Sequence, residues 1–306
     1  MRVGLDVGGT KTDAVLVDPA GTVGARVRLA TGWGPDAVTS TVVEAVGRLA
    51  TAAGVPMSAF STVGVGIPGQ VDPVVGAVSH AVNLGIDYLD LAGAAGRALE
   101  LPVHVENDVK AAALGAAALH GGEGTMAYLN LGTGVAAGIV RDGELVRGTR
   151  GGAGEVGHIS VDPNGPRCRC GQRGCIEALA GGGAVAERWA KPGAFPVRDV
   201  FDAADAGDPL AVRLRGDLAY GVASAVRVLV LTDDVDTVVL GGGVSTLGAR
   251  LLEDVTEVLD RSAVESAFLR SLSLPQRLEI LPAGSPAAAL GAALVGDARD
   301  GVLFGP

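Results

Sequence analysis

The sequence predicts an α/β protein in which a core of strands and helices is duplicated to give two lobes. Three observations support this prediction. Strand-like and helix-like apolar segments alternate along the chain, which is typical of α/β proteins. The pattern of the first thirty residues returns near residue 126. The length of 306 residues is sufficient for two lobes, each with its own buried core.

The first lobe opens with three predicted strands joined by tight turns. Residues 2–7 (RVGLDV) form the first strand, GGTK forms a turn, and TDAVLVD forms the second strand. The turn PAGTV precedes the third strand, GARVRLA. An Ala/Val-rich helix is expected over 36–53, followed by the strand STVGVGI and the extended segment QVDPVVGAVS. The strand PVHVEN then leads into the helix DVKAAALGAAALH.

The segment MAYLNLGTGVAAGIVRDGELVRG (126–148) repeats this opening. When Leu5 is aligned with Leu129, both segments contain a strand, a Gly/Thr turn, a strand, a glycine turn with an aspartate, and a strand. Asp6 then corresponds to Asn130, and the first turn corresponds to residues 132–134. Two such openings, one in each half, predict two related lobes that face each other across a cleft.

Alternating elements complete the second half. We expect a long helix around 208–231, the strand DTVVLGGGV, a helix at 247–261, the strand RLEIL and a final helix near 286–296. No linker-like or low-complexity segment divides the chain. The predicted lobes are 1–107, with a C-terminal helix 286–306 packing on it, and a larger lobe 108–285 that carries a loop at 158–175.

The composition excludes several classes of protein. The net charge is −10 with a pI near 4.9, and there is no Lys/Arg cluster, so we do not expect nucleic acid as a partner. Mean hydropathy is +0.38, but the longest apolar runs, 111–119 and 286–296, are much shorter than the ~20 residues of a membrane-spanning helix. Aromatic residues make up 3% of the chain, so we do not expect stacked rings to hold a ligand.

The start of the chain, MRVGLDVGG, has no charged region followed by an apolar one, so we expect no signal peptide. An absent export signal and unpaired cysteines predict a cytoplasmic protein without a membrane partner.

All three cysteines lie in the segment RCRCGQRGC (167–175). An odd number excludes a closed set of disulfides, and three thiols are one ligand short of a tetrahedral metal site. His158, separated from Cys168 by nine residues, can supply the fourth ligand if the intervening Pro/Gly loop turns back. Four protein ligands leave no open position, so Cys168, Cys170, Cys175 and His158 predict a structural Zn²⁺ site. The alternative is a reduced thiol cluster without a metal.

Three glycine-rich patterns are candidates for a nucleotide site. GVGIPG (64–69) matches the dinucleotide fingerprint, but Pro68 and extended chain follow where that fingerprint requires a helix, so we reject it. No Walker phosphate loop is present. The turns 8–11 and 132–134 offer backbone N–H groups and Thr hydroxyls that suit phosphate oxygens, although tight Gly turns also occur for purely steric reasons. Asp6, at the end of a strand beside such a turn, is best explained as holding hydrated Mg²⁺.

Together these motifs resemble the ROK family of sugar kinases and sugar-responsive repressors. The segments that carry the resemblance are LDVGGTKTDAVLVD, GVGIPGQVD, ENDVKAAALG, LGTGVAAG, GEVGH, CRCGQRGCIE and VVLGGGVS, in family order and over nearly the whole chain. The resemblance implies an actin-like (ribonuclease-H-like) sugar kinase fold, ATP with Mg²⁺, and a sugar as phosphoryl acceptor. It agrees with the duplication described above.

The resemblance also implies roles for residues at matching positions. The ATP phosphates and Mg²⁺ would contact Asp6, Gly8, Gly9, Thr10, Lys11, Thr12, Gly132, Thr133, Gly134 and Val135, and the adenosine would lie by Gly241, Gly242 and Gly243. The sugar would contact Asn83, Asn107, Asp108, Glu155, His158 and Glu177, with Asp108 as general base. The zinc ligands match the four residues given above.

Each acidic residue also has a structural interpretation. Asp108 opens a helix, so it can be an N-cap, and Glu155 and Glu177 can be solvated surface acids. Their spacing favours function, because Glu155 precedes His158 by three residues and Glu177 follows Cys175 by two. A zinc ion would then hold both carboxylates on one rigid frame, and His158 could offer its second ring nitrogen to the sugar.

The sequence therefore predicts an ATP- and Mg²⁺-dependent hexose kinase that acts on the 6-hydroxyl of glucose. One alternative is an N-acetylmannosamine or N-acetylglucosamine kinase, and another is a non-catalytic sugar sensor related to the repressors. A zinc hydrolase is disfavoured because the metal has no open position. Whether polyphosphate replaces ATP is left open. Because the family is often dimeric or tetrameric, we expect a homo-oligomer.

Two features depart from the family pattern. Ala136 and Ala137 stand where relatives often have glycine. Many glucokinases carry a tryptophan a few residues after the asparagine equivalent to Asn83, and the segment NLGIDYLD has none. The first kinase strand begins at Arg2, so we expect no N-terminal helix-turn-helix domain of the repressor type.

Overall fold

A computed structural model of the chain describes residues 1–296 and shows alternating strands and helices. The strands are β1 (Arg2–Val7), β2 (Lys11–Val17), β3 (Val23–Ala30), β4 (Thr62–Ile67), β5 (Gln70–Asp72), β6 (Ala77–Ala81), β7 (Ile86–Asp90), β8 (Val103–Asn107), β9 (Thr125–Leu131), β10 (Val135–Arg141), β11 (Glu144–Val146), β12 (Thr237–Gly241) and β13 (Leu278–Ile280). The helices are α1 (Pro35–Ala53), α2 (Leu91–Leu99), α3 (Asp108–Leu119), α4 (Ile176–Ala180), α5 (Gly182–Trp189), α6 (Pro196–Asp205), α7 (Pro209–Asp233), α8 (Ala249–Ala263), α9 (Ala267–Ser271) and α10 (Ala287–Leu294). The predicted α/β class is correct.

The structure contains two mixed sheets of five strands, and corresponding strands occupy the same positions in both sheets. The first is β3-β2-β1-β4-β8 and the second is β11-β10-β9-β12-β13. In the first, β1 pairs antiparallel with β2 and parallel with β4. In the second, β10 pairs antiparallel with β11, and β12 pairs parallel with β9 and β13. The repeated order is the duplicated core that the sequence predicts. A small antiparallel sheet, β5-β6-β7, accompanies the first.

Helix α10 packs directly on the first sheet, and a glycine makes this approach possible. A Cβ on Gly64, in the middle of β4, would overlap the carbonyl oxygen of Ala292. The helix itself consists almost entirely of alanine and leucine, so its backbone can approach the strands closely. The predicted terminal helix covered 286–306; the helix observed is Ala287–Leu294, and residues 297–306 lie outside the described part of the chain.

The chain divides into two compact units. Within the described residues, the first comprises Met1–Glu123, Gly138–Gly151 and 284–296, and the second comprises Gly124–Ala137 and Gly152–Ala283. The predicted boundary between residues 107 and 108 differs from this division, because α3 belongs to the first unit. A Cβ on Gly115 of α3 would overlap the carbonyl oxygen of Ala287, so α3 and α10 pack with their backbones in contact.

Each unit has an apolar core, and the longest helix of each unit, α1 or α7, contributes one of its faces to that core. In α1 the buried Val38, Val42 and Val46 follow one another at intervals of four residues, as expected of a helix face. In α7 the buried Leu214, Leu218 and Val222 show the same interval. Within residues 1–296, no helix combines the length and apolar character required to cross a membrane.

Candidate active site

The first predicted phosphate turn joins β1 to β2 and lies beside a buried acid. The N–H of Gly8 donates to the carbonyl of Lys11 at 2.9 Å and closes the turn. Asp6, at the end of β1, is paired in register with Asp13 of β2. Burial raises the pKa of Asp6 to about 6, and the negative charges of Asp108 and Asp13 contribute further. A carboxylate in such surroundings is stabilised by a cation, so the residues present suit Mg²⁺.

The rest of this turn is held by the end of β3. The N–H of Thr31 donates to the carbonyl of Thr10 at 3.2 Å, and the hydroxyls of Thr31 and Thr12 lie 2.9 Å apart. Thr12 is therefore buried and engaged, whereas Lys11 is exposed. Asn83 lies close to the same turn, since a Cβ built on Gly9 would be 3.1 Å from its carbonyl oxygen and 3.5 Å from its Nδ2.

Asn107, rather than Asp108, caps helix α3. Its Oδ1 accepts hydrogen bonds from the N–H groups of Val109 and Lys110 at 3.0 and 3.3 Å. Its Nδ2 donates to the carbonyl of Gly69 at 3.3 Å, which leaves one amide hydrogen for a ligand. Because Asn107 is the cap, the structural interpretation of Asp108 as an N-cap is wrong.

Asp108 is the first residue of α3, and its Oδ1 lies 2.9 Å from the backbone nitrogen of Val109. A Cβ placed on Gly66, the register partner of Asp6, would lie 3.6 Å from Cα of Asp108, and after burial the charge of Asp108 contributes to the raised pKa of Asp6. The predicted base and the predicted Mg²⁺ residue thus belong to one region of the first unit.

A buried ion pair that the sequence did not indicate supports this region. Glu106 is 2% exposed, and its Oε2 accepts a hydrogen bond from Nε of Arg147 at 2.8 Å. Its Oε1 accepts the backbone N–H of Asn107 at 3.0 Å. Lys110, one turn into α3, donates through Nζ to the carbonyl of Gly151. These bonds hold the start of α3 against the segment that follows β11.

The second predicted phosphate turn joins β9 to β10 and is supported by α5. The carbonyls of Gly132 and Thr133 accept hydrogen bonds from the N–H groups of Gly182 and Gly183, both at 2.9 Å. Side chains at these helix glycines would crowd the turn, because a Cβ on Gly182 would be 2.8 Å from the carbonyl oxygen of Gly132. The glycines Gly181–Gly183 therefore stabilise the turn, although no sequence motif marks them.

Glu177 lies against this second turn. Its Oε2 accepts the N–H of Val135 at 3.0 Å, and a Cβ on Gly134 would collide with the same oxygen. The segment with Glu155 packs on the same strand, where the N–H of Ala137 donates to the carbonyl of Gly154 at 2.7 Å. The structure therefore brings Glu155, His158 and Glu177 to segments that adjoin β10.

A cavity of about 330 Å³ in the second unit contains several predicted residues. It is lined by Gly132, Thr133, Gly182, Gly183, Phe195, Val197, Arg198, Gly243, Val244, Thr246 and Leu247. Gly242 has a positive φ of 84°, and its Cβ position lies 2.6 Å from the carbonyl of Leu131, so the Gly241–Gly243 turn packs on the end of β9. The size is within the usual range for a small-molecule site.

Phe195 and Arg198 are cavity residues that no motif marks. The Phe195 ring is 64% exposed, and the guanidinium of Arg198 lies 5.3 Å from its centre. An exposed ring with a cation on one face offers a flat surface to a ligand. The low aromatic content predicts that stacked rings do not hold a ligand, and Phe195 is an aromatic residue at which this prediction can be tested.

The cysteine loop folds back to His158 as the spacing predicts. Ser160 and Cys175 form a β-bridge, and Arg167 and Arg173 form another. The Nδ1 of His158 lies 3.9 Å from Sγ of Cys168, and the ligand atoms of His158, Cys168 and Cys170 are all within 4.8 Å of one another.

The fourth predicted ligand, Cys175, is not part of this group of three but lies beside Cys170. Its Sγ lies 3.7 Å from Sγ of Cys170, close to the ~3.8 Å edge of a tetrahedron with Zn–S bonds of ~2.3 Å. Hydrogen bonds from Gln172 lower the pKa of Cys170 to about 6, whereas burial raises the pKa of Cys175 to about 12. Three thiols and an imidazole in this arrangement suit Zn²⁺, which would stabilise all three as thiolates.

Two mixed sheets of common strand order, each with a glycine turn between its first two strands, define an α/β protein with a duplicated core. Within that class, the chain belongs to the ROK family, whose family model matches residues 2–298.

Similar proteins within the family include enzymes with different named substrates. The chain is 32% identical over 283 residues to a glucokinase of Halalkalibacterium halodurans, covering 86% of each protein. It is 35% identical over 246 residues to an N-acetylmannosamine kinase of Citrobacter koseri, covering 78% of this chain and 82% of that protein.

Two solved structures are similar over nearly their whole lengths. A ROK hexokinase from Thermus thermophilus has a TM-score of 0.84 and 35% identity, covering 98% of this chain and 99% of that one. A ROK family glucokinase from Streptomyces griseus, in complex with glucose and AMPPNP, has a TM-score of 0.77 and 29% identity with the same coverage.

Proposed function

We propose that this protein is an ATP- and Mg²⁺-dependent sugar kinase that phosphorylates the 6-hydroxyl of glucose. The observation that carries the proposal is the position of Asp108 at the start of α3, where its Cα lies 3.6 Å from the Cβ position of Gly66, the register partner of Asp6. Because Asn107 supplies the cap, the fold does not require a carboxylate at position 108 for capping. The glucokinase and hexokinase relatives support the same function.

Asp108 is the proposed general base. Its carboxyl group lies in the first turn of α3. It would take the proton of the sugar hydroxyl as the γ-phosphoryl group arrives, which is the role of the aspartate in other phosphoryl transfers to alcohols. Asn107, with one free amide hydrogen, would orient the sugar.

Asp6 is the residue proposed to hold hydrated Mg²⁺, which neutralises charge on the phosphates when bound. The raised pKa of Asp6 supports this assignment, because a nearby cation would restore the ionised carboxylate. The backbone of residues 8–12 would contact phosphate oxygens. Lys11 is exposed beside this turn, and its ammonium group would also contact phosphate oxygens.

The cavity at the second turn is the proposed adenosine site. Gly243, Thr246 and Leu247 would line the nucleoside, and Phe195 with Arg198 would lie on the flat face of the base. Residues 132–134, at the edge of the same cavity, would contact the phosphates, while the N–H of Val135 is already bonded to Glu177.

The cysteine loop is proposed as a structural zinc site that fixes sugar ligands. His158, Cys168, Cys170 and Cys175 would hold the metal and leave it no open position, so it would take no part in chemistry. Glu155 and His158 share one short segment, and Glu177 follows the last cysteine, so a rigid loop would hold all three in place for sugar hydroxyls. Asn83 is a further proposed sugar ligand.

The second candidate function is phosphorylation of an N-acetylhexosamine, favoured by the 35% identity to an N-acetylmannosamine kinase. The deciding experiment compares kcat/KM for glucose, mannose, allose, fructose, N-acetylglucosamine and N-acetylmannosamine by coupled ADP detection. We expect glucose to lead. An N-acetylated sugar in first place would establish the second function instead.

If the protein binds a sugar but forms no ADP with any sugar, both kinase functions are excluded and the protein is a non-catalytic sugar sensor. The same assay with polyphosphate in place of ATP tests the donor. We further propose a cytoplasmic homo-oligomer, a dimer or tetramer, which light scattering coupled to gel filtration would measure.

A further inference from the structure

The chain has two tryptophans, and they lie in opposite surroundings. Trp189 is 4% exposed and has the ammonium group of Lys191 3.8 Å above its ring. Trp33 is 70% exposed, although it is the largest type of apolar side chain in a protein with few aromatics. Such an exposed ring leaves a flat apolar face accessible to a ligand.

Trp33 lies against the turn that contains Asn83. A Cβ placed on Gly85 would be 2.6 Å from two atoms of the indole ring. Gly85 also has a positive φ of 68°, so both the backbone conformation and the ring require glycine here. The N–H of Gly34 donates to the carbonyl of Leu84 at 2.8 Å and fastens the two segments together.

The same segment is tied to the first phosphate turn. Thr31, two residues before Trp33, bonds to Thr10 through its N–H and to Thr12 through its hydroxyl, at 3.2 and 2.9 Å. Gly9 of that turn approaches Asn83. Trp33 is therefore held at the place where the phosphate turn and the Asn83 turn meet, on the first unit's own scaffold.

The position pairs a polar amide with a flat apolar surface. A hexose in its ring form has hydroxyls around its rim and C–H groups on its faces, so it needs both kinds of contact. Asn83 offers an amide, and the indole offers a flat face together with one N–H donor. The indole belongs to Trp33, in the loop that follows β3, and the segment 84–90 itself contains no tryptophan.

We infer that Trp33 is a specificity-determining residue of the acceptor site, whose indole packs on the apolar C–H face of the hexose contacted by Asn83. The inference rests on the proposed function, because it takes the sugar to lie beside Asn83. It predicts that Trp33 contributes to ground-state and transition-state binding alike, because a ring face does not change during transfer to a hydroxyl.

The kinetic test replaces Trp33 by Ala, Phe and Tyr. For Trp33→Ala we expect KM of the preferred sugar to rise about tenfold with little change in kcat, and Phe and Tyr to restore most of the loss because they keep a flat ring. Val74→Ala, which removes an 86% exposed apolar side chain from the β5–β6 turn, is the matched control and should leave KM unchanged.

The spectroscopic test does not depend on phosphorylation. Trp189→Phe leaves Trp33 as the single tryptophan, and under tryptophan-selective excitation we expect its emission to shift to shorter wavelength as sugar is added without nucleotide. The emission of Trp33→Phe, which reports Trp189 alone, should not shift. If Trp189→Phe does not fold, the difference between the wild type and Trp33→Phe gives the same information.

Unchanged KM in Trp33→Ala, with no sugar-dependent emission change, would overturn the inference and leave the kinase assignment intact. A KM that rises equally for Ala, Phe and Tyr would also overturn it, since a ring face would then not be the cause. A wild-type protein that phosphorylates no sugar would contradict the proposed function alone, and the emission titration would then decide the inference.

Discussion

The Oδ1 of Asn107 accepts the N–H of Val109 at 3.0 Å, so the residue before Asp108 is the cap of helix α3. Asp108 stands at the first helical position, beside the acid of the first phosphate turn. Two adjacent residues that are both good caps thus have separable roles. Asn107 caps the helix and is also proposed to orient the sugar, whereas Asp108 is the proposed general base.

This separation predicts that substitutions of the two neighbouring residues affect different properties, one the turnover and the other the stability. Asp108→Asn removes the proposed proton acceptor and should lower kcat by about 10²–10⁴-fold with little change in the free energy of unfolding. Asn107→Ala removes the cap and should lower the stability by about 1 kcal/mol. The measurements are steady-state kinetics and chemical denaturation of both variants. Near-normal turnover in Asp108→Asn would show that Asp108 is not the base.

The buried Asp6 predicts a stability that depends on pH. Its pKa of about 6 in the folded protein exceeds its ordinary value of 3.8, so the folded state binds more protons than the unfolded chain between these values. Stability therefore falls as pH rises through this window, and the full penalty is present above pH 6. Asp6→Asn removes the penalty and should stabilise the protein by at most about 3 kcal/mol at pH 8.

Denaturant unfolding of the wild type and Asp6→Asn at pH 4, 5.5 and 8, without Mg²⁺ or nucleotide, measures this effect. The difference should be largest at pH 8 and should decrease towards pH 4. The variant should also lose turnover, because the residue proposed to hold Mg²⁺ is neutral. A stability difference independent of pH would contradict the raised pKa.

The cysteine loop predicts one zinc ion per chain, released only with loss of structure. Elemental analysis of protein purified without added metal should give a ratio near one, and a value well below one would contradict the site. Cys170→Ala should lower both the melting temperature and the affinity for sugar, because the metal loop and the proposed sugar ligands share one segment. Ser160→Ala, which keeps all four ligands, is the control.

The duplicated core and the cysteine loop could be predicted because their signals are local or repeated. The match of Leu5 with Leu129 exposes the common order of the sheets, and four metal-type ligands lie within eighteen residues. The cap of α3 could not be assigned between Asn107 and Asp108, because both types of residue suit the position and only backbone geometry distinguishes them.

Contacts between residues that lie far apart in the sequence have no such local or repeated signal. Phe195 joins the cavity at the second turn although 61 residues separate it from Gly134, and it lies in a loop without a motif. The boundary predicted at 107/108 missed the packing of α3 on α10, which depends on small residues far apart in sequence. Tertiary contacts of this kind are decided by shape, which a single sequence does not display.

The pair of Glu106 and Arg147, 41 residues apart, is a further long-range contact with a measurable consequence. Glu106→Gln keeps the acceptor for the N–H of Asn107 but leaves the largely buried guanidinium without its counter-charge. We expect a loss of about 2–3 kcal/mol in the free energy of unfolding. The exposed pair of Glu44 and Arg48 on α1 is the matched control, and Glu44→Gln should cost about 0.5 kcal/mol or less. Because the pair also holds the start of α3, kcat of Glu106→Gln should fall as well. Equal, small effects in the two variants would show that the buried pair does not support the catalytic helix.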